Sequence, residues 1–241
     1  KASFVSMASK MAVTLSSALK QRHFSGVSGG GYSDDEEEDF DPLDVALLLS
    51  EALKEQDLEC AIGGSLALSI WSTPRASMDV DMNVFARSKE QVDRMFRCLE
   101  QLNAVYQPKT HSGDTISVQA ARHKSTKDHI VHCRVRNIDC DIFLNHTAVQ
   151  DASNRRKKAI TIRKKSVNFI DAESIACHKL IWSREKDVLD LDMLFGSYFA
   201  CGASLDVDYI RTLLAAELID DSHPAYLHLA KLSAKYLIKS E

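Results

Sequence analysis

Two glycines, Gly63 and Gly64, separate the apolar run Cys60-Ala61-Ile62 from Ser65-Leu66-Ala67-Leu68, and a second apolar run carries Asp79 and Asp81. A glycine pair at a strand-to-helix turn lets backbone N–H groups come close to a phosphate, and the helix start adds partial positive charge there. Two aspartates in an i, i+2 relation on an extended strand point to one face and can share divalent cations. A phosphate cradle followed by paired carboxylates predicts metal-dependent phosphoryl or nucleotidyl transfer.

The Asp-x-Asp pattern is a weak signal alone, since it recurs at 39/41, 79/81, 139/141, 190/192 and 206/208. Context separates these pairs. The last two fall on or beside segments of helical period, where residues two apart diverge, and 39/41 lies in an acidic run. Only 79/81 and 139/141 sit in alternating apolar runs that read as strands. Two-metal chemistry needs about three carboxylates converging on cations roughly 3.5–4 Å apart. A third aspartate from the strand Ile138-Asp139-Cys140-Asp141-Ile142-Phe143-Leu144 meets that need; Asp141, directly before the apolar triplet, is favoured and Asp139 is the second choice.

The elements that must hold these residues follow from period and punctuation. Asp41-Pro42 supplies a cap and first-turn proline for a helix through Gln56. Cys60 to Ile62 reads as a buried strand, Ser65 to Trp71 as a helix, and Asp79 to Phe85 as a strand. Ser88 and Gln91 form a capping box for a helix to about Leu102. Extended segments are predicted over Thr115 to Ala121, Ile130 to Arg136 and Ile138 to Leu144, with a hairpin from Ala159 to Ile162 and Ser166 to Phe169. Beyond Asp171 the period is helical: to Trp182, over Lys186 to Phe195, over Tyr209 to Leu218, and from His223-Pro224 to near Lys239. The order implies an α+β (mixed α/β) fold, a mixed sheet flanked by helices with a helical carboxyl part.

The 241 residues suit one domain of ordinary size, divided as an amino-terminal segment (1–40), a catalytic domain (41–170) and a helical part completing the site (171–241). The formal charge of −4 supplies no general attraction to nucleic acid. A local exception is Arg155-Arg156-Lys157-Lys158 with Arg163-Lys164-Lys165, which reads either as a track for an RNA backbone or as an exposed, solubilising edge. The six cysteines lie singly, without Cys-x-x-Cys spacing, and read as reduced, mostly buried thiols. His123, His129 and His132 match no zinc pattern, and Trp71 and Trp182 read as packing residues. No apolar run is long enough to span a membrane.

Residues 1 to 33 carry lysine, arginine and serine but no acid, the composition of an organelle transit peptide, and Arg22-His23-Phe24-Ser25 resembles a mitochondrial processing site. An intracellular location is expected, with the mitochondrial matrix as one candidate and the cytoplasm as the other. A Gly-Ser stretch and the acidic run from Asp34 to Asp41 then read as linker. The start at Lys1 is that expected of a fragment, or of a chain with Met7 or Met11 as an alternative start.

The run Gly63-Gly64-Ser65, then Arg75-x-Ser77-x-Asp79-x-Asp81, then a later strand aspartate resembles the DNA polymerase beta-like nucleotidyltransferase superfamily. A second block, Glu173-Ser174-Ile175-Ala176-Cys177-His178-Lys179-Leu180 followed by Arg184-Glu185-Lys186-Asp187-Val188-Leu189-Asp190, is similar to the carboxyl motif of AbiEii-type and related minimal nucleotidyltransferases. The resemblance implies a polymerase beta-like fold and transfer of a nucleoside monophosphate from an NTP, with pyrophosphate leaving. It implies that Gly63, Gly64, Ser65, Arg75 and Ser77 serve nucleotide binding and that Asp79, Asp81 and Asp141 bind Mg²⁺ (or Mn²⁺). Lys179 and Lys186 would contact the nucleotide, and Asp187 with Lys179 would complete the catalytic set from the helical side. Ser77 stands where a threonine is common, and the insert from Gln107 to Asp128 has no assigned counterpart. Acceptor candidates are tRNA, another RNA, a protein hydroxyl or a small molecule. The rival expectation is a catalytically silent nucleotide- or RNA-binding protein that keeps the fold.

Overall fold

The computed structural model describes residues 40–217, 220 and 222–236. The expectations for the transit-like segment and the linker therefore lie outside the described residues. Helix α1 (Pro42–Glu55) starts at a capping box in which Asp41 accepts from the Asp44 N–H. Strand β1 (Cys60–Ile62) leads through Gly63 into α2 (Gly64–Trp71), then β2 (Asp79–Val84) and α3 (Lys89–Gln101), the last opened by Ser88 and Gln91 as expected. After β3 (Val105–Tyr106) and α4 (Val118–Asp128) come β4 (Ile130–Val135), β5 (Ile138–Leu144), α5 (Ala148–Arg156), and the hairpin β6 (Lys158–Ile162) and β7 (Lys165–Phe169). Helices α6 (Ala172–Trp182), α7 (Glu185–Ala200), α8 (Val207–Ala216) and α9 (Pro224–Tyr236) form the helical carboxyl part.

The seven strands form one mixed sheet in the order β3-β4-β5-β2-β1-β7-β6. Its centre pairs β2 parallel to β5, with Asp79 opposite Asp139 and Asp81 opposite Asp141. Val80, Met82, Cys140 and Ile142 alternate with these aspartates and are buried in the core. Burying Met82 or Ile142 contributes roughly 1.5–3 kcal/mol each. Slipping either strand by one residue would send carboxylates into the core, so the apolar set holds the acidic set in place.

Besides the short strand β3, which was not anticipated, two segments differ from the expected elements. Thr115 to Ala121 is not a strand: Ser117 caps α4 by accepting from the Ala120 N–H, and Ala121 and Ser125 form its buried side. The alternation of Ile116 and Val118 straddled that cap and imitated a strand. Helix α5 was not anticipated, although Thr147 and Gln150 form a capping box before it. Among the described residues, no helix is long and apolar enough to cross a membrane.

Candidate active site

The start of α2, strands β2, β4 and β5, and helices α6 and α7 surround a cleft of about 320 Å³. Gly64, Ser65, Arg75, Asp79, Asp81, Asp141, Lys179 and Lys186 line it, with Arg184, Trp182, Ile130 and Phe143. Gly63, Ser77, Asp139 and Asp187 are outside that lining. The sheet thus supplies carboxylates from one side and the α6–α7 pair supplies cations from the other.

The glycine turn is shaped by close approach. Gly63 N–H donates to the Asp81 carbonyl at 2.8 Å, and a Cβ on Gly63 would lie 2.7 Å from Asn83 Nδ2. Gly64 has φ +52°, and a Cβ there would fall 1.6 Å from Asp81 Oδ2. Only glycine fits that backbone and that space. Burial first, then the neighbouring Asp79 and Asp141 carboxylates, push Asp81 up to about 7, partly opposed by Lys179 and Lys186.

Asp79 is steadied by Ser77, whose Oγ donates to the Asp79 carbonyl at 2.9 Å and to its Oδ1 at 3.3 Å. Asp141 Oδ1 accepts from the Thr110 hydroxyl and lies 2.8 Å from His132 Nδ1. Asp139 is engaged elsewhere, accepting from Arg134 Nε at 2.9 Å and lying 2.6 Å from His111 Nδ1. Burial works to raise its pKa, but the hydrogen bonds and charges of Arg134 and His111 outweigh that and hold it below the usual carboxylate range. Of the two aspartates left open by the sequence, Asp141 is the one in the cleft lining.

The cations are organised by a buried network. Ser183, in the left-handed conformation, ends α6, and α7 begins at Glu185, so the two helices fold back and face each other. Lys179 Nζ then lies 2.5 Å from Asp190 Oδ2 and 3.3 Å from Asp187 Oδ1, all three side chains being buried. Arg75 Nη2 donates to Ser65 Oγ at 2.7 Å and to Asp190 Oδ2 at 3.1 Å. Arg184 Nε donates to Asp187 Oδ2 at 2.6 Å. Asp187 is therefore clamped between Lys179 and Arg184 rather than facing the cleft, and Arg75 is already committed to Asp190 on one side.

Thr110, His111 and His132 contact the predicted site residues but were not among them, whereas Arg184 and Asp190, which also contact them, stood in the second motif block without an assigned role. The signal for His132 was the short β4–β5 connection: Arg136 and Asn137, both at positive φ, make a two-residue turn that sets His132 opposite Asp141 and Arg134 opposite Asp139. Thr110 and His111 come from an irregular loop with no periodic signal. Trp71 is a packing residue, its Nε1–H donating to the Ile170 carbonyl at 2.8 Å, whereas Trp182 is 41% exposed and stands at the cleft instead of in the core. The basic cluster is largely neutralised: Arg156 pairs with Asp171 and Glu173, Lys157 with Glu59, Arg163 with Asp41 and Asp44, and Lys165 with Glu51.

The carboxylate side has the hard oxygen donors that Mg²⁺ or Mn²⁺ requires, and Asp81, raised by burial first and then by the Asp79 and Asp141 charges, is a carboxyl whose charged form a bound cation would favour. Among the described residues, no group of three or more His, Cys, Asp or Glu side chains is gathered closely enough to hold a metal ion as it stands.

No protein-family model matches the chain, and no curated protein does. Among solved structures, the antibiotic-resistance factor ANT(2'')-Ia is similar over 73% of this chain and 92% of its own, at 15% identity and a TM-score of 0.48. An antigenic nucleotidyltransferase-like protein from Paracoccidioides brasiliensis is similar over 86% of this chain and 91% of its own, at 16% identity and a TM-score of 0.47. The lincosamide antibiotic adenylyltransferase LnuA is similar over 64% and 98%, at 12% identity and a TM-score of 0.42. None of the three is an AbiEii-type protein. The residues of the cleft, rather than these distant likenesses, carry the function proposed below.

Proposed function

We propose that the protein is a divalent-metal-dependent nucleotidyltransferase of the polymerase beta-like kind, with a carboxyl motif similar to that of the AbiEii-like minimal enzymes. The supporting observation is the cleft in which Asp79, Asp81 and Asp141 face Arg75, Lys179, Arg184 and Lys186. Carboxylates opposite several cations suit a polyphosphate held between metal and protein charges. Asp79, Asp81 and Asp141 would hold Mg²⁺ (or Mn²⁺), which when bound supplies Lewis acidity toward the phosphoryl oxygens and lowers the pKa of a coordinated hydroxyl. Gly64 and Ser65 border the phosphates at the start of α2. Lys179, Arg184 and Lys186 stabilise charge that develops on the leaving pyrophosphate, and Arg75 orients a phosphate oxygen with the donors Asp190 leaves free. Asp141, fixed through one oxygen by Thr110 and His132, keeps its other oxygen for the attacking hydroxyl. Asp187 acts through Lys179 and Arg184, as a positioning residue.

The reaction is an in-line attack on the α-phosphorus of an NTP, forming the acceptor-phosphate bond and releasing pyrophosphate. Incubation with α-labelled NTPs, total RNA, protein and metabolite extracts and Mg²⁺ should place label in one fraction, and Asp79→Ala with Asp81→Ala should abolish it. MgCl₂ should also raise the thermal midpoint of the parent but not of the double variant, since a ligand of the folded state at a hundred times its Kd stabilises by about 2.7 kcal/mol. Equal labelling by the double variant refutes the assignment.

A further inference from the structure

The loop between β3 and α4 closes over the two aspartates of β5. Gln107 ties it down: its N–H donates to the His132 carbonyl at 2.9 Å, and its buried side-chain Nε2 donates to the Ser112 carbonyl at 2.8 Å. At the tip His111 has φ +58°, a left-handed conformation that L side chains rarely adopt. Through that turn, consecutive side chains meet both carboxylates. The Thr110 hydroxyl donates to Asp141 Oδ1, and His111 Nδ1 lies 2.6 Å from Asp139 Oδ2. His132 Nδ1 stands 3.0 Å from Thr110 Oγ1 and 2.8 Å from the same Asp141 oxygen, so the hydroxyl is held from two sides.

The hydroxyls of Ser65, Ser77 and Thr110 all adjoin the charged groups of the cleft, and they are not equivalent. Ser65 Oγ accepts from Arg75 Nη2 at 2.7 Å. Ser77 Oγ lies closer to the Asp79 carbonyl, at 2.9 Å, than to the Asp79 carboxylate, at 3.3 Å. Thr110 alone of the three gives its proton to Asp141, the cleft-lining carboxylate placed to accept a proton from an attacking hydroxyl. Thr110 is half-buried and outside the cleft lining, one carboxylate away from it, between the exposed residues Lys109 and His111. Swinging the loop tip round that carboxylate brings the hydroxyl to the position of an acceptor.

We propose that Thr110 is itself an acceptor: the chain transfers a nucleoside monophosphate from an NTP to its own Thr110 hydroxyl. The proposal rests on the nucleotidyl-transfer reading and names a protein hydroxyl as a substrate of that site. Thr110 Oγ1 forms a bond to the α-phosphorus, and the bond from that phosphorus to the oxygen bridging the β-phosphate breaks. Pyrophosphate leaves with the electron pair, and the hydroxyl proton passes to Asp141 Oδ1, toward which it already points. The product is a phosphodiester between Thr110 and the nucleoside. An external acceptor uses the other Asp141 oxygen, so the two reactions share the carboxylate without sharing the atom.

The full chain is incubated with Mg²⁺ and each of ATP, GTP, CTP and UTP, labelled at the α-phosphate, with no added acceptor, and is followed by intact mass and by fragmentation of its peptides. With at least one NTP, a gain of a single nucleoside monophosphate per chain, mapped to Thr110, is expected. Its rate constant should not change on diluting the protein, because the hydroxyl and Asp141 belong to the same chain. Thr110→Ser should keep the label at position 110 and Thr110→Val should lose it, whereas a hydroxyl that only braces Asp141 would carry no label at all. If Thr110→Val does not fold, Thr110→Ser decides, since the fragments identify the modified position. Label retained only from a γ-labelled NTP, label on Ser65, Ser77 or another residue, or a rate constant that rises with protein concentration overturns the inference. An unlabelled chain beside a labelled extract fraction also overturns it and leaves the proposed reaction standing. A chain that labels neither itself nor any extract fraction refutes the proposed reaction, and this inference with it.

Discussion

Gly64 and Asp81 share a corner in which there is no room for one more carbon: a Cβ on Gly64 would lie 1.6 Å from Asp81 Oδ2 and 2.8 Å from Asp81 Cβ. The glycine turn and the acidic strand are therefore one device. The backbone at the start of α2 is pressed against the carboxylate that burial and its neighbours have raised to about 7. Gly64→Ala should cost at least about 2 kcal/mol, from left-handed strain plus overpacking, and should suppress label transfer along with it. Gly202→Ala separates the two contributions: φ there is +67° but nothing lies within 4 Å of the added carbon. That variant should lose about 1 kcal/mol in urea denaturation and keep its transfer rate.

Asp139 and Asp141 make a matched pair for testing which strand carboxylate serves the chemistry. Asp141 lines the cleft, and Asp139 is held by Arg134 and His111. Asp141→Ala should lower kcat by at least about 100-fold, the scale of a lost catalytic proton acceptor, while Asp139→Ala should leave kcat within a few-fold of the parent. Single-turnover labelling of both variants measures this, and equal losses would remove the distinction.

The buried network predicts a large stability effect from a residue outside the cleft lining. Asp190 is 2% exposed and receives both Lys179 and Arg75. Asp190→Ala leaves the Lys179 ammonium with Asp187 alone and frees Arg75 from its helical anchor. Breaking a buried pair from one side costs about 3–5 kcal/mol, which the urea midpoint would register as a large fall. A fall of less than about 1 kcal/mol would show that the network is solvated in solution.

His178 gives the fold an acid-sensitive element. Its folded pKa is depressed to about 4, first by burial and then by Lys179, against about 6.5 for a free imidazole. Between those values the unfolded chain takes up a proton that the folded chain refuses. The contribution is fully present above about pH 6.5 and is lost as the pH falls toward about 4. His178→Phe removes this dependence, so the difference in denaturation midpoint between parent and variant should change between pH 7.5 and 4.5 in favour of the variant. A difference constant over that range would mean that His178 is solvated and titrates normally.

The amino-acid sequence by itself determined the local pieces of the site. Gly63-Gly64 marked the turn because glycine, lacking a Cβ, enters left-handed backbone such as that of Gly64 (φ +52°) more readily than other residue types. The alternation of Val80 and Met82 with Asp79 and Asp81 separated core face from acidic face. The caps at Asp41, Ser88 and Asp171 marked helix starts through short-range hydrogen bonds that the sequence writes directly. The cap at Ser117 carried the same kind of information but lay under an apolar alternation that imitated a strand.

Tertiary structure decided how the pieces meet. The parallel pairing of β2 with β5, far apart in the chain, puts Asp81 beside Asp141, and no local period encodes that register. The loop carrying Thr110 and His111 reaches Asp141 and Asp139 only after the chain has closed on itself, and this distinguishes the two aspartates that the strand alternation left equivalent. Likewise helical period alone leaves Lys179, Asp187 and Asp190 as ordinary surface charges, and only the folding together of α6 and α7 buries them against one another. Periodicity reports which side of an element is apolar; which charges share a cavity depends on contacts between distant elements, where burial and Coulomb forces act.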